Sequence, residues 1–241
     1  MSESIKIGNM FKPVRKRSVS EAVFEQLRDQ IVRGDLQPGS QLPGERRLSE
    51  LLGANRGGVR EALKRLVQAG LVATQHGGAT RVLDYRRAGT LDLLRELIVD
   101  PEGDVNRDVL RHALELQLAI SPMTARLAAR NGDRVLHDRL RKQLELMRSA
   151  QQDGPTLDRL AQEFMDVAAE GCGNVALQLV HNTLRAVFDR TCHLRKLLEP
   201  LHALENFVAT AEAIERHDEE RAEQLTRERL EAYTQQLTLR A

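Results

Sequence analysis

Tryptophan is absent from the 241 residues, and only 5 Phe and 2 Tyr are present. Proteins that hold single-stranded nucleic acid stack its bases on aromatic side chains, so this composition argues against that class. Cysteine is as scarce: Cys172 and Cys192 are the two in the chain, with no CxxC. A disulfide framework or a zinc ribbon needs more, and a reducing cytoplasm fits. No apolar run reaches the roughly 18 residues that span a membrane, and no secretory signal opens the sequence. A Gly-rich phosphate loop and a nucleophile–base signature are both missing, which argues against an enzyme. A net charge of one sign is lacking too, since the total is +1. That balance hides an asymmetry. Residues 1–85 carry 14 Lys and Arg against 9 Asp and Glu, and the remainder carries 22 against 26. A basic first part and an acidic second part point to a polyanion met by the first part alone.

What is present is concentrated in Leu42 to Val82. Pro43 suits the first turn of a helix, where its missing N–H has no partner to lose. Leu48, Leu51 and Leu52 fall on one face of that helix, and Gly53 ends it. Asn55 is placed to cap a second helix, whose Val59, Ala62, Leu63 and Leu66 form an apolar stripe closed by Gly70. Arg56, Arg60 and Lys64 recur every four residues and make another face cationic. A short helix pair with a basic second helix is the arrangement that enters a DNA major groove. It is also a common packing unit, and a basic face is often only solvated. The segments 71–74 and 80–83 favour the DNA reading. They flank the small tip Gln75-His76-Gly77-Gly78-Ala79, whose glycines let backbone approach a phosphate, as a wing does.

Upstream, residues 1–17 lack apolar periodicity and end in Lys12, Arg15, Lys16 and Arg17. They read as a flexible basic segment, either a plain tail or an arm that follows the DNA backbone. Ser18 and Glu21 have capping-box spacing, and Val23, Phe24, Leu27 and Ile31 make a scaffold stripe ended by Gly34. The run from Gly34 to Leu48 contains Pro38-Gly39, Leu42-Pro43 and Glu45-Arg46. With Arg56-x-x-Val-Arg-Glu-Ala-Leu and Gly70-Leu-Val, it resembles the N-terminal domain of the GntR family of bacterial transcription regulators over about residues 19–83. The Gln-His-Gly wing and the helical remainder resemble its FadR subfamily. The resemblance implies operator contacts from Arg46, Arg56, Arg60, His76 and Gly77, and Lys64 extends the same cationic face. Arginine suits that task because its fork binds guanine edges or phosphates bidentately. Relatives carry hydroxyl side chains or proline where this chain has Asn55, Gly57 and Gly58. Those three positions are read as part of the interface, with an operator preference that differs from relatives.

The expected fold is mainly α: a winged helix-turn-helix over 18–84, a polar linker at 85–90 and an antiparallel all-helical bundle over 91–241. Thr90 is placed to cap the first bundle helix. Stripes at Leu91, Leu94, Leu97, Ile98, then Val109 through Ile120 to Met123 and Leu127, then Val135 to Met147, predict six or seven helices. The breakers are Asp100-Pro101, Asn131-Gly132, Gly154-Pro155, Gly171–Asn174, Glu199-Pro200 and His217-Asp218.

Many members of the subfamily hold a divalent metal in this bundle through an Asp, a His four residues later and two further His, and the metal grips an organic acid. The resemblance places Ala161, Met165, Asn206–Phe207 and Arg229 at those positions. A metal wants oxygen or imidazole donors, so no metal is expected. The remaining histidines, among them His112, His137, His181 and His217, read as surface or satisfied residues. Gln117 stands where many members place an effector-binding arginine, and a neutral amide pairs a carboxylate less strongly, which argues against a small organic acid as effector. Members that respond to fatty acyl-CoA also lack the metal set, so a fatty acyl thioester is the leading expected effector. A small organic acid or other metabolite held without metal is the alternative, and a DNA-binding protein with no effector is a third. Gln117, Phe164, Met165, Phe188 and Phe207 are the candidate lining, though core packing explains the apolar ones better. The functional expectation is a cytoplasmic, homodimeric transcription regulator, a repressor of metabolic genes on a near-palindromic DNA operator.

Overall fold

The computed structural model describes residues 18–74, 79–99, 104–189 and 204–240. Residues 1–17 and the wing-tip residues Gln75, His76, Gly77 and Gly78 lie outside the described residues, as do Cys192 and the breakers at 100–101 and 199–200. The chain divides into two compact units, Met1–Thr90 and Leu91–Ala241.

In the first unit, α1 (Val19–Arg33) opens on Ser18, whose Oγ accepts the Glu21 N–H at 3.1 Å. Its buried stripe of Val23, Phe24, Leu27 and Ile31 packs on α3 (Arg56–Gln68), which contributes Val59, Ala62 and Leu66. Between them runs α2 (Glu45–Leu52). Its expected Leu48–Leu51–Leu52 face needs correction: Leu48 is buried, Leu52 half-buried, and Leu51 is 56% exposed. An eight-residue helix can bury one narrow edge, and Leu48 occupies it.

Strands β1 (Val72–Thr74) and β2 (Thr80–Val82) pair antiparallel, with Val72 opposite Val82. The segment before α2 lies along β2: Leu42 N–H donates to Thr80 O at 2.8 Å and Val82 N–H to Ser40 O at 2.9 Å. This ties the start of the helix pair to the wing. The segment expected as plain linker starts with a helical turn, α4 (Tyr85–Ala88), capped by Asp84. Its backbone crosses close to Gly70. A Cβ at Gly70 would lie 2.1 Å from Ala88 O, and the φ of +70° is itself the left-handed region glycine favours.

The second unit contains α5 (Asp92–Leu97), α6 (Arg107–Asn131), α7 (Arg134–Ser149), α8 (Gly154–Gly171), α9 (Val175–Asp189), α10 (Leu204–Glu215) and α11 (Glu219–Arg240). The main core gathers Leu140, Met147, Phe164, Phe207 and Ile214. A second cluster holds Ile98, Leu110, Leu184, Val187 and Phe188. Along α6 and α11 the helices pack side by side, with Arg126 and Arg130 against Glu219 and Glu223. No described helix is long and apolar enough to cross a membrane.

Several local expectations are corrected. Thr90 does not cap α5: the N-cap is Leu91, without a side-chain hydrogen bond. Leu93, not Leu91, is the buried leucine there. Met123 and Val135, placed on core stripes, are exposed, while α6 runs unbroken through Pro122. Gly154-Pro155 opens a helix rather than separating two, because Asp153 caps α8 and proline is tolerated in a first turn.

Candidate nucleic-acid interface

The face built by α3 is the first feature of interest. Asn55 Oδ1 accepts the Gly58 N–H at 2.7 Å, so Asn55 is committed as the cap of α3. Arg56, Arg60 and Lys64 then project from successive turns, and all three are exposed. Arg56 has no ion-pair partner among the described residues. Lys64 Nζ meets Glu61 at 2.9 Å, and Arg46 on α2 meets Glu50 at 3.3 Å, both loose surface pairs.

Arg60 is held differently. Its Nε and Nη2 donate to the Glu45 carboxylate at 3.2 Å and 2.9 Å, a fork-to-carboxylate contact from α3 to α2. The same hydrogen bonds hold the Glu45 carboxyl below the usual carboxylate range, with Arg56 and Lys64 adding to the effect. In the free protein the arginine fork is thus turned toward Glu45. Sequence reasoning passed over Glu45 as a functional residue. The contact spans 15 positions, and only its place beside Arg46 marked it.

The two glycines of α3 are not equivalent. At Gly57 a Cβ would meet only Asn55 Oδ1, at 3.4 Å. At Gly58 it would meet Val19 Cγ1 at 3.1 Å and Asn55 Oδ1 at 3.3 Å. Gly57→Ala should thus stabilise the first unit by about 0.5 kcal/mol in a thermal melt. Gly58→Ala should gain nothing, because the cap and the start of α1 must both give way. Equal gains at the two positions would contradict this.

In the second unit the candidate effector residues separate into groups. Gln117, Met165 and Phe188 line a cavity of about 40 Å³ together with Asp166, His181 and Arg185. Phe164 and Met165 line a smaller one of about 10 Å³. Phe207 lines neither. It meets Phe164 edge-on at 5.0 Å and lies 4.1 Å beneath the Arg229 guanidinium. The larger cavity's polar wall is internally paired: Asp166 accepts from His181 Nε2 at 2.8 Å and from Arg185. Burial pushes His181 toward its neutral form.

The residues aligned with the metal positions do converge. Arg229 Nη2 lies 2.7 Å from Met165 Sδ and its Nη1 3.4 Å from Asn206 Oδ1, with Phe207 against the guanidinium; Ala161, four residues before Met165 on α8, is buried. A thioether, an amide, a phenyl ring and a cation do not fit a divalent ion. Among the described residues, no cluster of three His, Cys, Asp or Glu is placed to hold one. One histidine reading needs correction: His137 Nε2 is buried without a hydrogen-bond partner among the described residues, edge-on to His217 at 5.7 Å.

Residues 19–82 match the family described as "Bacterial regulatory proteins, gntR family", and residues 112–232 match the FCD domain. The chain belongs to the gntR family. As a gntR-family protein with an FCD domain it is a DNA-binding transcription regulator. Among similar proteins, the HTH-type transcriptional regulator Mce2R of Mycobacterium tuberculosis is 39% identical over 180 residues, covering 75% of this chain and 74% of that protein. A fatty acid metabolism regulator protein of Erwinia tasmaniensis is 27% identical over 177 residues, 73% and 72% of the two chains. The solved structure of E. coli McbR/YncC, at 20% identity, covers 92% of this chain and 98% of its own with a TM-score of 0.51, a likeness of fold. Of these proteins similar to the gntR-family chain, the Mycobacterium tuberculosis one is named a transcriptional regulator and the Erwinia tasmaniensis one a regulator of fatty acid metabolism.

Proposed function

We propose that this regulator binds a near-palindromic operator as a homodimer in the bacterial cytoplasm. In this reading Arg56 and Arg60 reach base edges or phosphates, and Arg46 and Lys64 add phosphate contacts. Asn55, Gly57 and Gly58 form the N-terminus of α3 that faces a phosphate in this reading; Asn55 holds the Gly58 N–H, and the Gly57 N–H and the helix dipole favour an anion. His76 and Gly77 follow the backbone from the wing. The observation that carries the reading is the exposed Arg56–Arg60–Lys64 face, with Arg60 already oriented by Glu45.

The C-terminal bundle is the effector site in this proposal, acting without metal, and ligand binding there lowers DNA affinity so that the protein works as a repressor of metabolic genes. A fatty acyl-CoA, the effector expected from the subfamily, needs far more room than a 40 Å³ cavity; a small acid does not. Hydroxyl-radical footprinting of the promoter bound by the full chain tests the dimer. Two protected patches related by two-fold symmetry on one face of the duplex are expected. A single asymmetric patch would contradict it.

A further inference from the structure

Among the described residues, one cation inside the bundle has no carboxylate partner. Arg229 of α11 is 7% exposed, and its contacts are the Asn206 amide oxygen, the Met165 sulfur and the Phe207 ring. None of these carries the negative charge that a buried guanidinium ordinarily requires. Other arginines of the same unit differ: Arg126, Arg130, Arg139, Arg141 and Arg185 each lie against a carboxylate. Burial lowers the Arg229 guanidinium to about 10, so it remains charged at neutral pH. Two of its five donors are engaged, one of them by a weak sulfur acceptor.

A second, independent feature lies one helical turn away. Thr226 is 1% exposed, and its Oγ1 has no hydrogen-bond partner among the described residues. Spacing of three residues puts it on the same face of α11 as Arg229. Thr226 and Met165 both line the smaller cavity, and Met165 also lines the larger one. Met165 thus walls both spaces while its sulfur covers the guanidinium. It is an unbranched, flexible side chain, suited to moving aside. Ala125, Phe164 and Ala168 line the smaller space beside Ser121, Thr124 and Thr210, and Leu184 and Phe188 line the larger beside Gln117 and Gln162, so apolar side chains for a short alkyl tail stand among polar ones. Asp166, the nearby carboxylate, is already engaged by Arg185 and His181.

We propose that this part of the bundle is a metal-free receptor for a small organic monocarboxylate. Arg229 is its charge partner, Thr226 a further donor, and Met165 the thioether it displaces. Where metal ligands would stand, a guanidinium takes the acid directly. The planar fork matches a carboxylate bidentately. Cavities of about 40 and 10 Å³ admit only a few non-hydrogen atoms before Met165 moves. The proposal rests on the bundle being the effector site and adds the chemical class of the effector.

The test uses the full chain with acetate, propionate, butyrate and palmitoyl-CoA as probes, read by thermal shift, with DNA gel shift in parallel. Wild type is expected to gain about 3–6 °C from the best-fitting carboxylate at ten times its Kd. Arg229→Met, which replaces an unpaired buried charge by an apolar chain, should melt no lower than wild type without ligand and lose the carboxylate response. Thr226→Val, nearly isosteric, should weaken carboxylate binding about tenfold or more and keeps the test decisive if Arg229→Met fails to fold. Met165→Ala should move the preference toward butyrate. No carboxylate response in wild type overturns the proposal. So does a response undiminished in Arg229→Met or Thr226→Val, or stabilisation by palmitoyl-CoA alone. Carboxylate stabilisation with unchanged operator affinity would uphold the receptor and remove its role as effector switch. Absent stabilisation with intact operator binding would remove the receptor and leave the DNA reading standing.

Discussion

Alanine at both Arg56 and Arg60 is expected to lower operator affinity by about a hundredfold to ten-thousandfold, since each bidentate base contact is worth about 1–3 kcal/mol. The dependence of affinity on salt should flatten by one or two counterions if either arginine meets phosphate. Both side chains are exposed, so the thermal melt should stay where it is. Glu45→Gln serves as the complementary variant. It removes a negative charge beside the cationic face and releases Arg60 from its forked contact. Affinity for random DNA should rise a few-fold while discrimination for the operator falls, because the arginine is no longer held in one direction. The pair is solvent-exposed, so its loss should change stability by less than about 0.5 kcal/mol. With the Glu45 carboxyl depressed, the contact is present above the usual carboxylate range and is lost as pH falls through its lowered value. Equal operator affinity in wild type and the double alanine variant would remove α3 from the interface.

Phe24→Ala is expected to cost about 3–5 kcal/mol, the largest single effect on the fold. Phe24 is 1% exposed at the centre of the α1–α3 contact, and the Arg65 guanidinium stacks 4.1 Å from its ring. Removing the ring loses core packing and a cation–π contact together. A unit of this size has little stability to spare. The variant should therefore bind no operator, although Phe24 touches no DNA, while the helices of the second unit keep their own melting transition. Calorimetry of the full chain reads both transitions. A loss below 1 kcal/mol would mean that α1 does not carry the orientation of α3.

The first unit was largely legible because its signals are local. Capping residues Ser18 and Asn55, stops at Gly34 and Gly53, and the stripe Val59–Ala62–Leu66 each lie within one or two turns of what they control. Errors cluster where tertiary packing chooses among neighbouring apolar residues. Leu93 is buried instead of Leu91, and Leu51 stays in solvent, because short helices present whichever edge their neighbours cover. Long-range pairs were invisible for a different reason. Glu45 meets Arg60 across 15 positions and Met165 meets Arg229 across 64, and no periodicity connects them. At the metal positions the residue types alone argued against a metal. That Met165, Asn206 and Phe207 gather around the Arg229 guanidinium required the fold.

The central claim is that a DNA duplex is read by the basic face of α3. A structure of the full chain bound to its operator duplex tests it most directly. α3 should lie in the major groove, with Arg56 and Arg60 within hydrogen-bond distance of base edges or phosphates and the Arg60 fork shared with or released by Glu45. A complex in which the duplex is gripped elsewhere, with both arginines facing solvent, would contradict the account.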